Sequence, residues 1–176
     1  RLGQVMEHAT PRTLTEGDRA LYTALYPTRF ALTSSDAFAR HCGLPWSPLE
    51  DLIGFHVVFG KTVPDISLNA VANLGSADGR MIQPVAPGDT LSARSEVIGL
   101  KQNSNGRTGV VWVRTTGTNE RGESVVEYVR WVMVRKRDAD APAPETAVPE
   151  LKAAVAPADL SIPRGLSFAK YDTTAA

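Results

Sequence analysis

Few side chains in this sequence exchange protons near neutral pH. The histidines are His8, His41 and His56, and imidazole is the group whose unperturbed pKa lies in that range. His56 falls inside the apolar run Phe55-His56-Val57-Val58-Phe59, where the simplest reading is a core histidine satisfied by backbone. His8 and His41 stand in polar or helix-end surroundings and read as surface groups. Glu50 and Asp51 are adjacent carboxylates that could activate water, but they open an apolar helical run, where capping and the helix dipole explain them better. Asp36, just after Ser35, reads the same way, as a carboxylate that strengthens a first turn. Asp65 and Asn69 read as turn caps, and Arg135-Lys136-Arg137 as a solvated strand end. Cys42 is the single cysteine, so no intrachain disulfide can close, and no second soft ligand stands near it for a metal. Neither a metal nor a cofactor is expected.

The elements that must position these groups have local signatures. Thr15-Glu16-Gly17-Asp18 places a hydroxyl three residues before a carboxylate, and Ala20, Leu21, Ala24 and Leu25 follow at helical spacing. Ser34 or Ser35 caps a second short helix that stops at Gly43. Ser47-Pro48-Leu49-Glu50 predicts the start of the main helix, with Ser47 as cap and Pro48 at the first helical position. That helix runs to about Thr62. Leu49, Leu52, Ile53, His56 and Gly60 share one stripe, and Phe55, Val57, Val58 and Phe59 widen it until the girth is almost wholly apolar. A helix apolar all round is expected to be buried.

Beyond it the period changes to two. Leu91, Ala93, Ser95 and Val97 alternate with polar residues, Val111 and Val113 alternate with Trp112 and Arg114, and Val126, Tyr128, Val132 and Val134 face one way. Asn103-Ser104-Asn105-Gly106 and Asn119-Glu120-Arg121-Gly122 supply the turns. One buried helix and a three- or four-stranded antiparallel meander make an α+β plan in which the sheet can wrap the helix. From Asp138 onward alanine and proline dominate, so a domain over 1–138 and a linker or extended tail over 139–176 are expected, with Ile162, Leu166, Phe168 and Tyr171 able to pin the tail to a surface.

Composition narrows the partners. The chain has 176 residues, 43% of them hydrophobic, enough for one ordinary core. Nineteen basic residues balance nineteen acidic ones, so no long-range field gathers nucleic acid or an anionic membrane surface. No apolar run approaches the length needed to span a bilayer. A cytoplasmic protein is expected, and a first residue of Arg1 rather than Met reads as a trimmed product or a fragment.

Several segments together carry a resemblance. Pro84-Val85-Ala86-Pro87-Gly88-Asp89-Thr90-Leu91 forms a Pro-Gly-Asp turn leading into a strand. With it stand Ser34-Ser35-Asp36-Ala37-Phe38-Ala39-Arg40, the stretch from Phe55 to Gly75, and the strand Tyr128 to Arg137. In this order they resemble the MaoC-like hot-dog hydratases, and within them the N-terminal half of the mesaconyl-CoA hydratase type, over roughly residues 10 to 140, with the tail resembling that type's interdomain linker. The resemblance implies a hot-dog fold and reversible addition of water to a short branched enoyl-CoA thioester. It also implies a second hot-dog domain as partner, either a copy of this one or a C-terminal half.

That family supplies its acid and base from an Asp-x-Asn-Pro-Leu-His stretch before the short helix. Aligned on Phe38-Ala39, the stretch here is Thr28-Arg29-Phe30-Ala31-Leu32-Thr33. Thr28 and Thr33 thus occupy the two functional positions, and a hydroxyl has no proton affinity near neutral pH. By resemblance the candidate substrate contacts are His56 or the Val57 N–H at the thioester oxygen, Asp36, and Asn73 and Arg80 along the pantetheine tunnel and CoA phosphates; no catalytic residue is assigned. An acyl-CoA thioesterase using Glu50 or Asp51, and a non-catalytic acyl-CoA-binding module, stay open as alternatives.

Overall fold

The computed structural model describes residues 1–169. Its elements are β1 (Val5–Thr13), α1 (Glu16–Leu25), α2 (Ala31–Ser34), α3 (Asp36–His41), α4 (Asp51–Thr62), a π-turn (Val63–Ser67), then β2 (Ala72–Met81), β3 (Thr90–Gln102), β4 (Thr108–Thr118) and β5 (Ser124–Arg135). All strand pairings are antiparallel, in the order β1-β3-β4-β5-β2. The five-stranded sheet wraps α4, which is the expected hot-dog arrangement with more strands than the alternation disclosed.

The first helix is built as read: Thr15 accepts from the Asp18 N–H, and Asp18 reaches back to the Thr15 N–H. Ser35 caps α3 through the Phe38 N–H. The start of α4 differs. Ser47 is not its cap; the helix begins at Asp51 behind Glu50, with no side-chain cap. The reason lies in competing partners: the Ser47 N–H and hydroxyl both donate to Asp36, at 2.9 and 2.7 Å, and the Leu49 N–H donates to Val85 O at 2.8 Å. These bonds keep residues 47–50 out of the helix.

One side of α4 carries the core. Ile53, Gly54, Val57, Val58 and Thr62 are buried, packed with Leu14, Leu49, Leu91, Ala93, Val125, Val126 and Tyr128. The helix is not buried all round, because the sheet covers only part of its girth; Leu52 and His56 are exposed. The packing is close enough to need a glycine opposite: a Cβ on Gly117 of β4 would lie 2.5 Å from Val58.

Two edge strands escaped the period-two signal. In β1 only His8 is buried, and a register shift between His8 and Arg12 bends the strand where Thr10 takes a positive φ of 65°. In β2 the register shifts twice against β5.

Beyond β5 the chain turns back over the domain. Leu100 and Ala147 exchange backbone hydrogen bonds of 2.8 Å, and Pro149 lies against Gly99. Leu166 packs on the small cluster of Leu32, Ala39, Cys42 and Leu44, and the Ser167 N–H donates to Cys42 O at 2.9 Å. Of the residues expected to pin the tail, Leu166 does so, Ile162 is exposed, and Tyr171 lies outside the described residues. Among the described residues no helix is long and apolar enough to cross a membrane.

Candidate functional site

Thr28 precedes α2 and Thr33 lies within it, at the point where it approaches the start of α4. Thr28 accepts from the Phe30 N–H at 3.0 Å. Thr33 is buried and donates its hydroxyl to Glu50 Oε1 at 2.6 Å. Arg19 ties the same corner together, donating to Ser47 O at 2.9 Å, to Ser47 Oγ at 3.0 Å and to Thr33 O at 3.3 Å. Arg19, Thr33, Ser34, Asp36 and Ser47 line a cleft of about 610 Å³ here. Hydrogen bonds from the Ser47 backbone and then its side chain hold the Asp36 carboxyl below its ordinary value. Asp51 is shifted the other way, raised by desolvation and then by the Glu50 charge. The corner is rich in hydroxyl and carboxylate groups, and Thr28 and Thr33 themselves offer only hydroxyls.

His56 is not a core histidine. It stands on the open side of α4 and lines a cleft of about 530 Å³ with Arg12, Lys61, Pro64 and Asp65. Val57 is buried within the helix, where its N–H belongs to the helical ladder; open N–H groups lie in the first turn, at Asp51 and Leu52. Asn73 is exposed on β2 opposite Val132. Arg80, also on β2, pairs with Glu127 at 3.3 Å and borders a cavity of about 580 Å³ with Asp51, Met81, Leu160 and Phe168. Asp36, Arg80 and His56 thus line three separate openings, and Asn73 stands apart from all three. Among the described residues no group of three or more His, Cys, Asp or Glu could hold a metal.

Two buried polar groups lie outside these expectations. His8 is not a surface group; its ring is enclosed, with Nδ1 2.6 Å from Asp65 Oδ2 and Nε2 2.8 Å from Ser95 Oγ. Ser95 continues to Thr115 at 2.7 Å. Asp65 therefore serves as an imidazole partner, not only as a turn cap. Arg130 is also buried, donating to Thr62 Oγ1 at 2.7 Å and to Ser67 Oγ at 3.2 Å. The parity of Tyr128 and Val132 gave a signal for Arg130, because a residue midway between two inward-facing positions of one strand faces inward too.

A helix wrapped by an antiparallel sheet, with the family corner at the helix start, defines a single hot-dog of the MaoC-like class. The family described as mesaconyl-CoA hydratase matches residues 2–175, and the chain belongs to that family. It is 67% identical over its whole length to a mesaconyl-CoA hydratase from Cereibacter sphaeroides, of which it covers 51%. Over 98% of the chain it is 62% identical to a beta-methylmalyl-CoA dehydratase from Chloroflexus aurantiacus, covering 49% of that protein. A crystal structure of a MaoC domain dehydratase from Chloroflexus aurantiacus matches 99% of the chain and 50% of its own, at 61% identity and a TM-score of 0.92. A Mycobacterium tuberculosis protein described as a double hot-dog matches 81% of the chain and 45% of its own, at 28% identity and a TM-score of 0.71. The chain spans about half the length of the curated relatives it matches.

Proposed function

We propose that this chain is the N-terminal, substrate-shaping half of a hydratase or dehydratase acting on a short branched enoyl-CoA thioester of the mesaconyl-CoA type. What supports the reading is that the chain spans half of relatives named for this reaction, with Thr28 and Thr33 where the resemblance sets the family's acid and base. Hydration needs a base to take a proton from water, an acid to protonate the neighbouring carbon, and N–H donors for the enolate-like thioester oxygen. In this reading a C-terminal hot-dog supplies the acid and base, and the present half closes the site around the acyl group.

Residues 1–138 form the hot-dog, and 139–176 are the linker to the second one, its described part running back over the first. The second hot-dog packs on the open side of α4 and on edge strand β2, so Asn73 and Arg80 lie on the strand it meets, while His56 approaches the thioester from the cleft that α4 makes with Pro11 and Arg12 of β1. Asp36 acts from behind the site, by fixing Ser47. The buried, free thiol of Cys42 suits a reducing cytoplasm.

The test is to supply mesaconyl-CoA to the chain alone and to the chain together with the C-terminal half carried by its relatives, following loss of the double bond and release of CoA thiol separately. The expected result is turnover by the pair, negligible turnover by the chain alone, and no thiol release. Thiol release that Glu50→Gln abolishes would establish the thioesterase alternative, which the Glu50 carboxylate beside α4 keeps in view. Tight binding of the CoA ester by the pair without any turnover would make the chain a binding module.

A further inference from the structure

Arg130 is the anomaly of the interior. Its side chain is 1% exposed, yet no carboxylate lies within ion-pair distance of it among the described residues. Its partners are the hydroxyls of Thr62 and Ser67, the Thr62 carbonyl at 3.5 Å, and the ring of Phe59, whose centroid lies 4.4 Å from the guanidinium carbon. The Nε–H has no partner at all. Burial presses the guanidinium down from its usual value, but arginine does not surrender its proton in proteins. A buried cation held only by neutral groups is costly, and such groups are paired in the working state of a protein.

Beside it is a second orphan. Tyr128, two residues earlier on the same face of β5, is 2% exposed. Its hydroxyl lies near those of Thr115 and Thr62 but makes no hydrogen bond of ordinary geometry. Both side chains are packed against Phe59 of α4, which is half-buried and flanks the open side of the helix. β5 is also the neighbour of edge strand β2, with Arg130 opposite Ser76. A cation and a hydroxyl, each with a donor that lacks a partner, therefore stand together, one strand in from the edge on which the proposed second hot-dog packs.

We infer that Arg130, with the Tyr128 hydroxyl, receives the free carboxylate of the acyl group and so sets the enzyme's preference for carboxylate-bearing enoyl-CoA esters. The inference rests on the proposed function and deepens it. Mesaconyl and methylmalyl groups each carry a carboxylate besides the thioester, and a planar guanidinium with a free Nε–H is suited to hold it. The half-buried Phe59 ring lies over the guanidinium on the side of the open face of α4, so the carboxylate's approach requires that ring to rotate. A site built around such a contact discriminates strongly against an acyl group that lacks it, because the buried donors are then left unpaired.

The experiment compares mesaconyl-CoA with crotonyl-CoA, an enoyl ester without the carboxylate, using the full-length protein or the chain paired with its C-terminal half. Arg130→Met is expected to lower kcat/KM for mesaconyl-CoA by about 100-fold or more while leaving crotonyl-CoA unchanged or improved. Tyr128→Phe removes a hydroxyl that makes no hydrogen bond of ordinary geometry, so it should fold normally and still lose about tenfold on mesaconyl-CoA alone. Equal losses on both substrates in a folded Arg130→Met protein, or a Tyr128→Phe protein with an unaltered substrate ratio, overturn the inference. If the wild-type pair hydrates crotonyl-CoA but not mesaconyl-CoA, the carboxylate-binding role is overturned while a hydratase remains. If it hydrates neither, the proposed function has failed and the inference goes with it.

Discussion

The Thr33 hydroxyl lies 2.6 Å from Glu50 Oε1 and donates to it, joining α2 to the residue that precedes the main helix. The contact fixes the rotamer of Thr33, the hydroxyl that the proposed function sets in place of a proton-transferring imidazole. It also leaves Glu50 partnered in the corner where a carboxylate would otherwise need water. Thr33→Val should remove a hydrogen bond to a charged acceptor and lower unfolding free energy by about 1.5–3 kcal/mol, seen as a lower midpoint in urea. In the paired enzyme it should leave the pH profile of turnover unmoved, since Thr33 carries no proton in the reaction.

Ser47 gives a prediction of a different kind from the helix cap its sequence context suggests. Ser47→Ala deletes the hydroxyl that donates to Asp36 and accepts from Arg19, and should cost about 1–2 kcal/mol. If Ser47 were a cap, replacing Asp36 would not alter that cost. Here a double-mutant cycle with Asp36→Asn should show coupling between the two, because they share hydrogen bonds.

Asp36 also links this corner to pH. Its carboxyl is held below the ordinary value by the Ser47 hydrogen bonds, first the backbone and then the side chain, with Arg40 and Arg19 adding smaller attractions. A depressed folded-state pKa means that the unfolded chain takes up a proton first as pH falls. Its stabilisation is therefore full above the ordinary aspartate value of about 3.9 and is lost as pH falls through the lower, folded one. Acid unfolding followed by circular dichroism should begin at higher pH in Ser47→Ala than in the wild type. Identical acid limbs would show that the Ser47 bonds do not hold the carboxylate.

Much of the plan was legible in the chain: the capping box at Thr15, the cap at Ser35, the inward alternation of Leu91, Ala93, Ser95 and Val97, and the turn before β3 all form as their local chemistry dictates. What local pattern could not reveal was which side of an apolar surface is left open. The run from Phe55 to Phe59 offers apolar groups all round, so only the extent of the sheet decides that His56 is exposed and Val57 buried. His8 is the converse. A strand with one inward residue gives no period, and the burial of His8 depends on Asp65 and Ser95, which lie 57 and 87 positions away in sequence.

That exchange of roles between two histidines is measurable. His56→Ala should change thermal stability by no more than about 0.5 kcal/mol, as expected for an exposed position. His8→Ala should cost about 2–4 kcal/mol, because it empties a buried volume and strips Ser95 of a partner. Equal costs for the two would contradict the burial assigned to them.

The two sheet edges are not alike, and the difference bears on pairing. Edge strand β1 carries Glu7, Pro11 and Arg12 and a bulge, the features that discourage another strand from adding. At the other edge Val71 and Leu74 are exposed, and on the open side of α4 so is Leu52. Such a patch next to unpaired backbone groups favours association. The chain on its own should therefore sediment at micromolar concentration as a dimer or larger species, and added C-terminal half should displace the self-association. Leu74→Lys places a charge at that edge and should shift the chain toward monomer without lowering its melting temperature. A wild-type chain that stays monomeric, or a Leu52→Glu variant as associated as the wild type, would move the interface away from β2 and α4.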